Sequence, residues 1–160
     1  MKLFLISFIS LLVDRLIKVL VTANIGFGER IVIIRDFFNL TYVTNDGAAF
    51  SILSGNTLLL IILTIIALIL IVFFYLLDKD TTNNERLVIA LLIGGILGNL
   101  YDRVFYGHVI DYLEFNILDY NFPIFNFADI LIVVSIVMLV IITFTKKDDK
   151  NEEHKSREEI

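Results

Sequence analysis

Four aspartates stand in or beside the most apolar stretches of this chain: Asp14, Asp102, Asp111 and Asp129. Lys18, Asn99, Arg103 and Asn126 accompany them. A carboxylate at the centre of a membrane helix costs about 2.5 to 3.5 kcal/mol on insertion scales and less near the ends. So many such groups therefore imply either a tightly paired network or chemistry. Two carboxylates brought close at a membrane surface cannot both ionise freely, because desolvation and mutual repulsion keep one protonated and the other charged near neutral pH. Such a pair can activate a water and protonate a leaving amine, which is aspartic peptidase chemistry.

Each acid also has a plainer reading. Asp14 and Lys18, four residues apart, can pair on one helix face, and Arg15, off that face, can snorkel to lipid headgroups. Asn99, Asp102 and Arg103 form one polar stripe at i, i+3 and i+4; Asp102 and Arg103 do not face each other, so Lys18 with Asp102, or Asp14 with Arg103, is the expected cross-helix pairing. Asn126 followed three residues later by Asp129 has the pattern of a capping box. Asp111, Glu114 and Asp119 can be exposed loop acids.

Rival chemistries find less support in the residues. The chain has no cysteine, which excludes a thiolate metal site, a disulfide and a cysteine nucleophile. Ser51, Ser54 and Ser135 lack a recognisable nucleophile setting beside Lys18. His108 has no partner at metal-ligand spacing, so no metal or other cofactor is expected. A proton or ion carrier needs polar groups through the full depth of the bilayer, and the second apolar segment has almost none. A purely structural protein would have every acid ion-paired.

The elements that must position these residues follow from composition. Of 160 residues, 58% are hydrophobic and 19% charged, with a mean hydropathy of +0.84, too apolar for an ordinary soluble domain. A membrane span needs about 20 mostly apolar residues, and residues 3–21, 58–77, 87–105 and 124–144 approach or meet that length. The start "MKLFLISFISLLV" resembles a signal peptide, but "DRLIK" follows where a cleavage region would stand, so an uncleaved first helix is expected. Lys2, Lys79, Arg86, Lys146 and Lys147 fall on one side of the four spans, which makes both termini cytoplasmic. Much of the net charge of −5 lies in the tail 146–160, expected to be disordered and solvated. The first connection, with "RIVIIRDFFNLTYVTNDGAAF", reads as short strands at the membrane surface. The third, "YGHVIDYLEFNILDYNFP", reads as a short interfacial helix. Gly94 and Gly98 permit close helix approach. The expected architecture is thus an all-α membrane protein, with one domain over 1–145, four transmembrane helices, a small extracytoplasmic β-rich cradle and an interfacial helix. All the polar groups gather at its outer face.

Five blocks, "DRLIK", "TNDGAAFS", "GGILGNLYDR", "HVIDYLEF" and "FPIFNFAD", occur in this order from Asp14 to Ser135. Through them the chain resembles the lipoprotein signal peptidases, the signal peptidase II family. The resemblance implies an aspartic endopeptidase of the bacterial cell membrane that cuts diacylglyceryl-modified prolipoproteins just before the lipidated cysteine. It implies Asp111 and Asp129 as the catalytic pair. It further implies Asp14, Lys18, Asn45, Gly47, Gly95, Asn99, Asp102, Arg103, Asn126 and Ala128 as substrate-binding or supporting positions, with Asn45, Asn99, Arg103 and Asn126 lining the substrate site. Membrane lipids and cyclic peptide inhibitors of the globomycin type are the implied partners beside the substrate, no nucleic acid is expected, and a monomer is expected. The chain departs from the family pattern at Arg15 and Ile17, where a glutamine and a hydroxyl residue are common, and at Tyr112, where phenylalanine is usual.

Overall fold

The computed structural model describes residues 2–48, 52–78, 80–117 and 120–158; Ser51, Lys79 and Asp119 lie outside them. Four helices, α1 (Lys2–Asn24), α2 (Thr57–Leu77), α3 (Asn83–Tyr106) and α4 (Phe127–Glu158), carry a small sheet. Its strands are β1 (Arg30–Ile34), β2 (Phe38–Asn45), β3 (Val109–Ile117) and β4 (Tyr120–Asn121), in spatial order β1-β2-β3-β4 and antiparallel throughout.

By length and composition three segments can cross a membrane: α2, α3 and the Phe127–Lys146 part of α4. α1 is helical over its whole apolar stretch but carries Asp14, Arg15 and Lys18, which turn inward. Its buried residues are Ser7, Ser10, Asp14, Lys18 and Val21, and its outward face is Phe4, Leu5, Leu12, Leu16 and similar side chains. The pattern is inverted relative to a soluble helix: the polar face meets protein and the apolar one is exposed.

α3 is the central helix, packed against both α1 and α4. Its glycines permit this. A Cβ on Gly98 would lie 2.6 Å from Asp14 Oδ2, and one on Gly95 would lie 2.7 Å from the Ala128 carbonyl oxygen, so Gly98 faces α1 and Gly95 faces the first turn of α4. Gly94 likewise admits Ser7 and Ser10 of α1. Thr82 and Glu85 form a capping box at the start of α3. At its end Gly107 takes a left-handed conformation, φ 78°, and its N–H donates to the Arg103 carbonyl. That turn sends the chain directly into β3 at Val109.

The third connection corrects the expectation of an interfacial helix, because it forms β3 and β4. Residues 109–112 of β3 are buried on both faces, with Ile110 and Tyr112 two residues apart on one of them. Ile110 and Tyr112 join Val21 of α1 and Ile25, just past its end, in a buried cluster, while Asp111 points to the opposite side. The β-branched and aromatic content fits a pleated surface better than a helix. The sheet therefore unites the first and third connections, which lie far apart in sequence. α4 begins at Phe127 rather than near residue 124, since Asn126 supplies the cap, and it continues as helix through the charged segment to Glu158.

Candidate active site

Asp111 sits on β3 opposite Val43, and Asn45 pairs with Val109 two residues away. Diagonal neighbours in an antiparallel pair share a face, which brings Asn45 Nδ2 to Asp111 Oδ2 at 3.1 Å. The other Asp111 oxygen, Oδ1, accepts from Asn126 Nδ2 at 2.6 Å. Asp111 is 3% exposed.

Asp129 is held from the opposite direction, in the first turn of α4. The capping box suggested by the sequence is present: the Asp129 N–H donates to Asn126 Oδ1 at 3.0 Å, and Asp129 Oδ2 accepts from the Asn126 N–H at 3.1 Å. Its second oxygen, Oδ1, accepts from Asn99 Nδ2 of α3 at 2.7 Å. The remaining first-turn amides are also tied down. Phe127 N–H donates to the Tyr112 hydroxyl at 3.0 Å, and Ala128 N–H donates to Asp14 Oδ1 at 3.1 Å. β3, α1 and the cap residue thus each satisfy one orphan donor of the helix start. Capping does not leave the Asp129 carboxylate free of Asn126; one asparagine is bonded to both carboxylates.

Behind this pair lies a cluster of buried charges. Lys18 Nζ meets Asp14 Oδ2 at 2.9 Å, Asp102 Oδ2 at 2.7 Å and Asn99 Oδ1 at 3.1 Å, and Asp14, Lys18 and Asp102 are all fully buried. Asp102 Oδ2 also accepts the Ile110 N–H at 3.2 Å, pinning the strand one residue before Asp111. Two expectations need correction. Arg15 does not snorkel to headgroups: it pairs with Asp102 Oδ1, donates to the Tyr106 hydroxyl at 3.2 Å, and stacks its guanidinium 4.5 Å from the Tyr101 ring centre. Arg103 does not pair with Asp14. It donates to the Gly47 carbonyl at 2.8 Å, and its Nε is buried with no hydrogen-bond partner among the described residues. Lys18 with Asp102 is the cross-helix pair that forms. Gly47 N–H donates to Asn45 Oδ1 at 2.9 Å, so Arg103, Gly47, Asn45 and Asp111 make one continuous edge.

A family model described as signal peptidase (SPase) II matches residues 6–145. The chain belongs to the signal peptidase II family. Among its relatives, the lipoprotein signal peptidase of Desulfitobacterium hafniense is 41% identical over 142 residues, covering 88% of this chain and 92% of that one. The lipoprotein signal peptidase of Clostridium acetobutylicum is 40% identical over 144 residues, 89% and 94% of the two chains. A solved bacterial membrane enzyme, determined by the in meso method at 2.3 Å resolution, superposes with a TM-score of 0.85 at 34% identity, covering 93% of this chain and 91% of its own. A second, at 1.9 Å, gives a TM-score of 0.79 at 35% identity. This is a peptidase family, and the chain is a multi-pass bacterial membrane protein.

Within the signal peptidase II fold of this chain, every position singled out by the five sequence blocks lies at the sheet end of the helices. Asp111, Asp129, Asn45, Asn99 and Asn126 form one hydrogen-bonded group; Asp14, Lys18 and Asp102 form the ionic cluster beneath it; Gly95, Gly98 and Ala128 set the helix spacing. Sequence reasoning missed Tyr112 and Arg15 as contributors. Both were departures from the family pattern, and that departure was the available signal. Burial pushes the Tyr112 phenol well above its ordinary range, so the hydroxyl stays neutral as the acceptor for Phe127. Burial first, and the charge of Asp129 second, push Asp111 up to about 6 from 3.8.

Proposed function

We infer that this chain removes signal peptides from prolipoproteins as an intramembrane aspartic endopeptidase, with Asp111 and Asp129 as the catalytic pair. The observation that carries the reading is Asn126, whose amide bonds Asp111 while its capping box bonds Asp129. A buried carboxylate, Asp111, and a partly buried one, Asp129, both anchored to one residue, support a pair that shares one proton.

In this reading the ionised member takes a proton from water as the water attacks the scissile carbonyl. The protonated member polarises that carbonyl and then delivers its proton to the departing amine. Arg103, whose buried Nε has no hydrogen-bond partner among the described residues, orients the substrate backbone, and Asn45 and Gly47 form the edge beside it. The four helices, α1 included, span the bilayer. Both termini are cytoplasmic and the sheet lies at the extracytoplasmic face, resting its exposed Ile31, Val32, Ile33, Ile34 and Phe37 on the membrane. One peptidase domain covers residues 1–145, and it works as a monomer. The substrate's diacylglyceryl chains stay in the bilayer, so the cut falls just before the lipidated cysteine, and lipid recognition supplies most of the specificity. A cyclic peptide of the globomycin type would occupy the same groove.

The test is cleavage by purified protein of one prolipoprotein with and without the diacylglyceryl group. Selective cleavage before the modified cysteine is expected. Equal cleavage of both forms would reject the lipid-directed reading.

A pH dependence follows from the Asp111 environment. Its folded-state value of about 6 lies above the ordinary 3.8. The stability that its protonated form contributes is therefore fully present below 3.8 and is lost as pH rises through about 6. The shared proton leaves the pair over the same window. In the free enzyme kcat/KM is expected to fall as pH rises above about 6. A kcat/KM profile measured on both sides of that value checks this; a rise through it would contradict the shared-proton mechanism.

A further inference from the structure

Lys18 is bonded to neither member of the pair, yet its ammonium dictates how the amide beside Asp129 is turned. Nζ has only N–H groups to offer, and it is fully buried among three acceptors, Asp14 Oδ2, Asp102 Oδ2 and Asn99 Oδ1. An Asn99 flipped about its side chain would set its NH₂ against that ammonium, donor against donor. With Oδ1 committed to Lys18, Nδ2 must face Asp129 Oδ1, which it does at 2.7 Å. Asn99 Oδ1 also accepts from Asn126 Nδ2 at 3.2 Å. Asn126 is oriented in turn by the Asp129 N–H on its Oδ1, leaving Nδ2 for Asp111 Oδ1 at 2.6 Å. One cation and one backbone amide thus fix two side-chain amides, each presenting a donor to one carboxylate.

We propose that Lys18 is a positioning residue acting through Asn99: it holds that amide with its donor toward Asp129, so that the carboxylate is oriented and hydrogen-bonded in the form that accepts a proton from water. The proposal rests on Asp111 and Asp129 being the catalytic pair. The charged and titratable groups facing Asp129 are Asp111 and Tyr112 from β3, Lys18 from α1 and Arg103 from α3.

The test uses full-length protein and the diacylglyceryl-modified prolipoprotein. Asn99→Asp keeps an acceptor for Lys18 but replaces the donor that faces Asp129. It is expected to lower kcat about 100-fold, the scale of losing one well-placed donor, with KM within about threefold. Lys18→Met should lower kcat to a similar degree. In Lys18→Met/Asn99→Leu the loss should equal that of Asn99→Leu alone, since a residue acting through another adds nothing once that other is gone. Multiplying losses, a KM rise with kcat kept, or a wild-type kcat in Asn99→Asp would each overturn the proposal. If Lys18→Met does not fold, Asn99→Asp decides alone. Asp111→Asn in the same assay separates the two levels: its full activity would remove the catalytic pair and this proposal together, whereas an inactive Asp111→Asn beside a fully active Asn99→Asp removes only the role of Lys18.

Discussion

Asp111→Asn and Asp129→Asn are each expected to lower kcat by about 10⁴-fold, the scale found when one member of a catalytic unit is removed, while KM changes little. The substitution is nearly isosteric and deletes the capacity to exchange a proton. At position 111 the new amide would meet donors on both sides, since Asn45 Nδ2 and Asn126 Nδ2 already donate to the two carboxylate oxygens. At position 129 the single remaining oxygen would have to choose between Asn99 Nδ2 and the Asn126 N–H. Each mismatch costs about 1–3 kcal/mol of local stability, too little to unfold a membrane protein of this kind, so the loss should appear in turnover. Because the two acids act as a unit, the double variant should be scarcely slower than either single one. Single-turnover cleavage of lipid-modified prolipoprotein, with KM measured alongside, is the check; activity within tenfold of wild type in either variant would refute the assignment.

The largest expected effect on folding comes from Asp102→Ala. The Asp102 carboxylate is fully buried and accepts from Lys18, Arg15 and the Ile110 amide at once. Deleting it leaves Lys18 with Asp14 as its one carboxylate and takes the carboxylate partner from the largely buried Arg15 guanidinium. Breaking a buried pair by removing one partner costs about 3–5 kcal/mol, so thermal unfolding in detergent should occur at a clearly lower temperature. Activity should fall as well, since the Ile110 amide that Asp102 anchors adjoins Asp111. An unchanged melting temperature in Asp102→Ala would mean that the cluster contributes nothing to the fold.

The sequence by itself determined the membrane class, the positions of the long apolar helices, the strands of the first connection, the capping of α4 by Asn126, and the family. These are properties of local pattern: runs of apolar residues, a polar residue three before an acid, short blocks in fixed order. Hydropathy was less decisive for α1, whose charged residues turn inward, where Lys18 meets Asp14 and Asp102. The third connection was misread because "HVIDYLEF" carries both an apolar face and an acidic one, and amphipathicity alone does not separate period two from period 3.6 in so short a segment. What decides for a strand is the available edge of β2, which lies some 65 residues earlier in the chain.

Partner choice in the polar cluster was likewise a tertiary matter. Lys18, Arg15 and Arg103 all had acids within sequence reach. Whether each one meets an acid, and which, depends on how closely α1 and α4 approach α3, and that approach is set by Gly94, Gly95 and Gly98. The same packing decides how the two aspartates are joined. Asp129 as a helix-capping acid is legible from three residues; Asp129 joined through Asn126 to Asp111, with Asn99 holding its other oxygen, exists only once three elements from different parts of the chain have met.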